Sequence, residues 1–174
     1  MPNPDISYFY LESPIGPLLI AGAADALHHV RFPSRDGDRA LPQSGWRHDA
    51  QPLAEAMRQI AEFFEGGRLE FTLPLRFSGT PLEEAVWAAM RDIPYGHTAS
   101  YGEIARRIGE PTAARVVGAA CGANPLPIVI PCHRVVGADG SLTGFGGGLP
   151  TKRFLLALEQ RVAPRPGAQL SLFG

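Results

Sequence analysis

Glycine and proline fill 37 of the 174 positions, 20 and 17 respectively, and no other feature restricts the fold as much. Proline breaks helices and central strands, and glycine ends them at little steric cost. The chain must therefore be cut into many short elements joined by turns. The combined share, about 21%, stays short of the level that signals disorder. Between the breaks, 45% of residues are hydrophobic and 19% charged, enough apolar surface to fill a real core at this length. The same numbers exclude fibrous, coiled-coil and highly charged classes. The apolar run from Pro125 to Pro131 is far below the roughly 18 residues a membrane helix needs.

The first third alternates short β-like runs with turn residues: Tyr8 to Leu11, Leu18 to Ala21 and Leu27 to Phe32, predicting a small antiparallel meander. Residues 35 to 51 are polar and read as a loop. Leu53, Met57, Ile60, Ala61 and Phe64 then share one helical face, closed by Gly66-Gly67. Leu69, Phe71, Leu73 and Leu75 alternate as a further strand would. His28-His29 lies in a β-like stretch, with at least one ring expected to be exposed. A boundary near Ser78-Gly79 divides a β-rich domain, 1–78, from a helical domain, 79–163, followed by a flexible tail, 164–174. Charge divides similarly: residues 1–77 carry net −3 and residues 98–161 net +3. A polyanion would meet the second half first.

Thr80-Pro81-Leu82-Glu83 starts a helix with an N-cap, a proline at the first helical position and a capping-box glutamate. Leu82, Val86 and Met90 give its buried stripe. A second capping box, Ser100-Tyr101-Gly102-Glu103, opens a helix with Ile104 and Ile108 inside, closed by Gly109. Thr112 is placed to cap a third helix, from Ala113 toward Asn124, which Pro125 forbids from continuing. Two short helices on so tight a turn make a helix-turn-helix, which binds DNA in some proteins and is a plain helical corner in others. Ala113, Ala114, Gly118, Ala119, Ala120, Gly122 and Ala123 leave the third helix little side chain. Its backbone can approach another helix or a partner closely, and Arg115 projects from it.

The Pro127 to Pro131 stretch reads as a buried extended segment delivering Cys132-His133-Arg134. A free cysteine is most often a small buried hydrophobe. At a reference pKa near 8.5 only a few per cent is thiolate at neutral pH, so activation needs a base, a cation or a helix N-terminus. Two cysteines, Cys121 and Cys132, suit a reducing cytosol, and nothing around them has zinc-ligand spacing. Gly144 to Gly148, ahead of Lys152 and Arg153, also allows a phosphate cradle, although no P-loop or dinucleotide pattern is present.

Ile130-Pro131-Cys132-His133-Arg134-Val135 resembles the active-site signature of the O6-alkylguanine-DNA alkyltransferases. The resemblance extends from 80 to 162 through Ile93-Pro94-Tyr95-Gly96, Ser100-Tyr101-Gly102, Ala114-Arg115, Asn124-Pro125 and Gly144-Phe145-Gly146-Gly147-Gly148 to Glu159. It implies an α+β protein with a small ribonuclease-H-like N-terminal domain and a helical C-terminal domain. It also implies direct, stoichiometric repair: Cys132 takes the alkyl group from O6 of guanine in double-stranded DNA as an irreversible thioether, with no cofactor. His133 acts as base through a water, Glu159 orients the imidazole, Tyr101 donates a proton toward the leaving base, and Asn124 ties the third helix to the reactive loop. The damaged nucleotide is turned out of the duplex. Thr112, Ala113, Ala114 and Gly118 meet the minor groove, and Arg115 fills the vacated space. Pro131, Val135, Phe145, Gly146 and Gly147 line the pocket. Animal members hold zinc with cysteines in the first domain; residues 1–78 contain none, so a metal-free protein is expected.

The C-terminal Gln169-Leu170-Ser171-Leu172-Phe173 resembles the peptide by which bacterial repair and replication proteins bind the polymerase sliding clamp. A tail docking Leu172 and Phe173 on the protein's own surface is the alternative. A cytoplasmic monomer is expected, with no secretory signal. A non-catalytic binder of alkylated DNA and a cysteine hydrolase or redox protein remain the rival functions.

Overall fold

Ser13-Pro14-Ile15-Gly16 reverses the chain, with Gly16 at φ +97° and its N–H donating to the Ser13 carbonyl at 3.0 Å. This turn pairs β1 (Ser7–Leu11) antiparallel with β2 (Leu18–Ala23), which pairs in turn with β3 (Ala26–Arg31). Leu18, Leu19, Ile20 and Ala21 are all fully buried, so the central strand reads as an unbroken apolar run. Gly22 sits where the β2–β3 register shifts; a Cβ there would come 2.5 Å from the Ala26 carbonyl oxygen. The computed structural model describes residues 5–163. It divides into two compact units, Met1–Phe77 and Ser78–Gly174.

The first unit departs from a pure meander. A two-residue strand, β4 (Arg47–His48), emerges from the polar 35–51 segment and pairs parallel with β1, giving the order β3-β2-β1-β4. The expected strand over Leu69 to Leu75 is not one: it makes a single bridge, Leu27 to Leu75. Gln59, buried on α1 (Ala54–Phe64), supplies the missing partner by accepting the Thr72 N–H at 2.9 Å. The apolar face of α1 is centred on Ile60 and Phe63, while Met57, Ala61 and Phe64 are half-buried. Neither histidine of the pair is exposed: His28 is buried and His29 half-buried.

In the second unit, Thr80 caps α2 (Pro81–Arg91) by accepting the Glu83 N–H at 3.1 Å. Glu84, not Glu83, reaches back to the Gly79 N–H, so the expected box forms one residue out of place. Val86, Trp87 and Met90 are buried, and Leu82 is half-buried. The Trp87 indole N–H donates to the Ala120 carbonyl at 2.9 Å, fastening α2 to α4 (Ala114–Gly122). Between them β5 (Ala99–Ser100) leads into α3 (Tyr101–Arg107), whose Ser100–Glu103 capping box is complete, and Gly109 ends the helix at φ +79°. Ile108 is half-buried. Thr112 does not cap α4; the N-cap is Ala113, because the turn back to the Glu110 carbonyl delays helix entry by one residue.

The 127–131 segment is buried but not extended. Ile130 N–H returns to the Leu126 carbonyl at 2.7 Å, with Ile128 at φ +75°. That conformation strains a β-branched residue by on the order of 1–3 kcal/mol. The chain then forms a 3₁₀ turn, Cys132–Arg134, and enters β6 (Val135–Val136), which pairs parallel with β5. Helix α5 (Leu149–Val162) completes the unit. Among the described residues no helix is long and apolar enough to cross a membrane.

Candidate active site

Cys132 begins the 3₁₀ turn because Pro131 cannot donate into a longer helix and Val135 is drawn off by β5. This turn buries Cys132, His133 and Arg134, at 6%, 0% and 6% exposure. Asn124, just past α4, grips the preceding segment: its amide donates to the Ile130 carbonyl at 2.8 Å, and its carbonyl oxygen accepts the Leu126 N–H at 2.9 Å. The same side chain hydrogen-bonds the Cys132 sulfur.

Opposite lies α5, where Lys152, Leu155, Leu156 and Glu159 share one inward stripe. Glu159 is 1% exposed. Its Oε2 meets His133 Nε2 at 2.6 Å and accepts Arg134 Nη2 at 3.0 Å. Its Oε1 accepts Arg134 Nε at 2.9 Å and the Gly96 N–H at 3.0 Å. Arg134 Nη1 also donates to the Ile93 carbonyl at 2.7 Å, and Gln160 Nε2 to the Gly96 carbonyl at 2.6 Å. The Ile93-Pro94-Tyr95-Gly96 turn is thereby clamped to α5.

Lys152 is fully buried. Its ammonium donates to the Val135 and Thr143 carbonyls at 2.6 and 3.2 Å, which removes it from any phosphate cradle at Gly144–Gly148. It lies 5.9 Å from the Tyr101 ring centre and 5.8 Å from that of Phe145. The Tyr101 hydroxyl oxygen accepts from Thr143 Oγ1 at 3.1 Å. Burial raises the Tyr101 pKa and the Thr143 bond draws it back, leaving a neutral phenol at pH 7.

Burial governs the thiol as well. It pushes Cys132 up to about 11 from 9.0, against the opposing pull of the Asn124 bond, the Lys152 charge and backbone N–H groups of Cys132 and His133. At rest Cys132 is a thiol, not the standing sulfur anion that a nucleophilic cysteine suggests. Desolvation also lowers the His133 pKa, outweighing the attraction of Glu159. For Glu159 burial acts upward, but the bonds from His133 and Arg134 and their positive charges hold it at about 2, the His133 charge acting only where the imidazole is protonated. The pair is a neutral imidazole on an ionised carboxylate. With its Nε2–H donated to Glu159, the imidazole keeps its lone pair on Nδ1.

Of the remaining predicted residues, Pro131 and Val135 are buried, Phe145 and Gly147 half-buried and Gly146 exposed. On α4 and its approach, Thr112, Ala114 and Arg115 are exposed, as are Val116, Ala119 and Gly122, while Ala113 is half-buried. Gly118 is half-buried and faces the site: a Cβ there would stand 3.9 Å from the Tyr101 ring. Cys121 is half-buried rather than fully buried, its Sγ 3.5 Å from Met90 Sδ. Among the described residues no three His, Cys, Asp or Glu side chains converge as a metal site. The sequence gives no role to Gln160, Gly96 or Thr143, offers Lys152 only to a phosphate cradle, and offers Arg134 only as a cation next to the cysteine. The one available signal was spacing, since Lys152 and Glu159 interrupt an apolar stripe at i and i+7, where a solvated charge does not belong.

A sheet unit followed by a helical unit, in which a helix-turn-helix backs onto a sealed thiol, imidazole and carboxylate, defines a class of two-part proteins built around one buried cysteine. Within it, the 6-O-methylguanine DNA methyltransferase ribonuclease-like domain matches residues 6–77 and the corresponding DNA binding domain residues 81–161. The chain belongs to the methylated-DNA–protein-cysteine methyltransferase family. It is 46% identical over 168 residues to the Mycolicibacterium paratuberculosis member, covering 97% of this chain and 99% of that one. The crystal structure of Mycobacterium tuberculosis O6-methylguanine methyltransferase superposes with a TM-score of 0.83 at 45% identity, covering 97% and 99% of the two chains. The same organism's OGT in complex with DNA superposes at 0.84, with the same identity and coverage.

Proposed function

We propose that this chain repairs DNA directly, moving an alkyl group from O6 of guanine onto Cys132 once per molecule. The observation that carries the reading is the buried pair of His133 and Glu159, Nε2 to Oε2 at 2.6 Å, in the same turn as the buried Cys132. Ionising a thiol of pKa about 11 at pH 7 costs roughly 5 kcal/mol. A base able to take the proton as substrate arrives supplies that step. The thiol proton passes to His133 Nδ1 through a water, and the sulfur attacks the alkyl carbon as the carbon–O6 bond breaks. Tyr101 gives its phenol proton to the departing base, and the imidazolium proton, passed on through solvent, restores the phenol and leaves the imidazole neutral again. Electrons and atoms balance with no further reactant, and the thioether is the end product.

The target oxygen is paired within the duplex, so the nucleotide must leave the stack. Small exposed residues Ala114, Ala119 and Gly122 let α4 approach the minor groove closely, while Arg115 occupies the space vacated. Pro131, Val135, Phe145, Gly146 and Gly147 would wall the lesion pocket. The family relatives' names and the DNA complex of the Mycobacterium tuberculosis protein support this assignment. The protein is proposed to act as a monomer in the cytoplasm, where the thiol stays reduced. Gln169, Leu170, Leu172 and Phe173, which lie outside the described residues, are proposed to bind the polymerase sliding clamp. A tail peptide with no saturable clamp binding, or one indifferent to alanine at Leu172 and Phe173, removes that partner.

Incubation with a duplex carrying radiolabelled O6-methylguanine tests the main proposal. One equivalent of label on Cys132 is expected, with none on Cys132→Ser, which should still bind the damaged duplex. Label retained on DNA in a tight complex would point to a non-catalytic binder. Turnover of an ester or disulfide would point to a hydrolase or redox protein.

A further inference from the structure

Resting on the reading of His133 as the base, we propose that Arg134 is a positioning residue: it commits the Glu159 charge to itself and so keeps His133 neutral and able to take a proton. Arginine next to the nucleophile's histidine has no contact with substrate in this scheme. Its effect is on which of its neighbours holds a proton.

The geometry is that of a planar fork on a carboxylate. Arg134 Nε and Nη2 reach Glu159 Oε1 and Oε2 at 2.9 and 3.0 Å, while Nη1 is fixed by the Ile93 carbonyl at 2.7 Å. A guanidinium carries its charge throughout the working pH range, and the two-point pairing is one that lysine cannot reproduce. With the Gly96 N–H on Oε1, both carboxylate oxygens are occupied before His133 is counted.

Counting charge shows the consequence. The elements around the imidazole contribute Arg134 and Cys132 from its own turn, Lys152 and Glu159 from α5, and Tyr95 from the clamped turn. Helix α2 buries only uncharged side chains, Val86, Trp87, Ala89 and Met90. Cys132 and Tyr95 are neutral near pH 7, with pKa values raised by burial to about 11 and about 12. Two cations, Arg134 and Lys152, therefore face one anion, Glu159, inside a water-poor space. A proton on His133 adds a third cation there. Burial opposes it first, both existing cations oppose it further, and only Glu159 favours it. Take Arg134 away, and one cation faces one anion, so the imidazole gains its proton more readily and its Nδ1 lone pair is lost as a base.

Full-length protein labelled with ¹⁵N-histidine reads this directly by NMR, with the His133 signals assigned against H133Q. In the native chain at pH 7, Nε2 should carry the only ring proton. In R134Q the imidazole should be doubly protonated at that pH, and the acid limb of single-turnover transfer from an O6-methylguanine duplex should move up by at least one pH unit. R134K, which keeps the charge without the fork, should leave the imidazole neutral at pH 7, and it supplies the comparison if R134Q does not fold. A doubly protonated His133 in the native chain overturns the proposal with no variant needed. So does a neutral imidazole in folded R134Q, or a charged one in R134K. Absence of label transfer by the native protein at every pH would sink the repair function instead, leaving the NMR result to decide the role of Arg134.

Discussion

The cysteine proposed to attack carbon is held here in the form least able to do so. Burial places its pKa at about 11, which leaves a thiolate fraction on the order of 10⁻⁴ at pH 7, against a few per cent for a free cysteine. Protection follows: a soluble electrophile meets a neutral thiol on a residue only 6% exposed. Iodoacetamide at pH 7 is therefore expected to modify Cys132 at least 100-fold more slowly than free cysteine, as followed by intact mass and peptide mapping. Denaturant should abolish the difference. Fast labelling of the native chain would mean the sulfur is ionised at rest, and the His133 base would then have no task. Cys132 and His133 stand in a contiguous signature, whereas Glu159 enters only through the resemblance to the family, since alone it reads as a surface charge on its helix. The sequence did not disclose that the thiol is neutral, because desolvation depends on what packs around it. The partner of Arg134 is hidden for the same reason: a basic residue next to a cysteine reads as a candidate to activate the thiol, whereas its partner is 25 positions away on α5.

Elements that announce themselves by local chemistry were the ones a reader of the sequence finds. Ser100 and Glu103 form their reciprocal cap because both bonds lie within four residues. Elements whose partner is distant were missed or misread. The Leu69–Leu75 run alternates like a strand, yet Gln59 satisfies Thr72 from a helix side chain. Ile128 at φ +75° defies its own propensity because the turn is enforced by the buried Leu126–Ile130 bond and the Asn124 bridge. Two consequences belong to this scale. Ser100→Ala removes the cap of α3, and the second unit should lose about 1 kcal/mol in denaturant titration. An unchanged midpoint would mean β5–β6 pairing alone fixes the helix start. On α4, Ala119→Leu adds bulk to an exposed position, so stability should hold while affinity for duplex DNA falls at least tenfold. The minor groove is only about 6 Å wide, and a leucine at the contact would hold the helix off. Unaltered binding in a fluorescence anisotropy titration would place the DNA face elsewhere.

At the level of the whole molecule, the buried site should write itself into stability against pH. Folded Glu159 titrates at about 2, whereas the unfolded carboxyl takes its proton near 4.5. Between those values unfolding consumes a proton, so the stability this group contributes is fully present above about 4.5 and drains as pH falls toward 2, roughly 3 kcal/mol in all. His133 acts in the same sense at higher pH. Its folded pKa lies below the usual 6.5, so stability starts to decline as pH drops through that value. The alkaline side is set by the two cysteines: Cys132 keeps its proton to about 11 and Cys121 to about 12 when folded, against 9.0 when unfolded, so their contribution is whole below 9 and lost above it. Each unit carries one of the two tryptophans, Trp46 and Trp87, so Trp46→Phe leaves fluorescence reporting the second unit alone. In that background, urea midpoints should peak between about pH 7 and 9 and fall on both sides. Glu159→Gln should be less stable at pH 7, since a buried guanidinium loses its counter-charge, and the gap between the two proteins should narrow steadily from pH 4.5 downward. Parallel curves over pH 5 to 3 would show that Glu159 is not ionised in the native state, and with that the neutral His133 and the committed Arg134 would both lose their foundation.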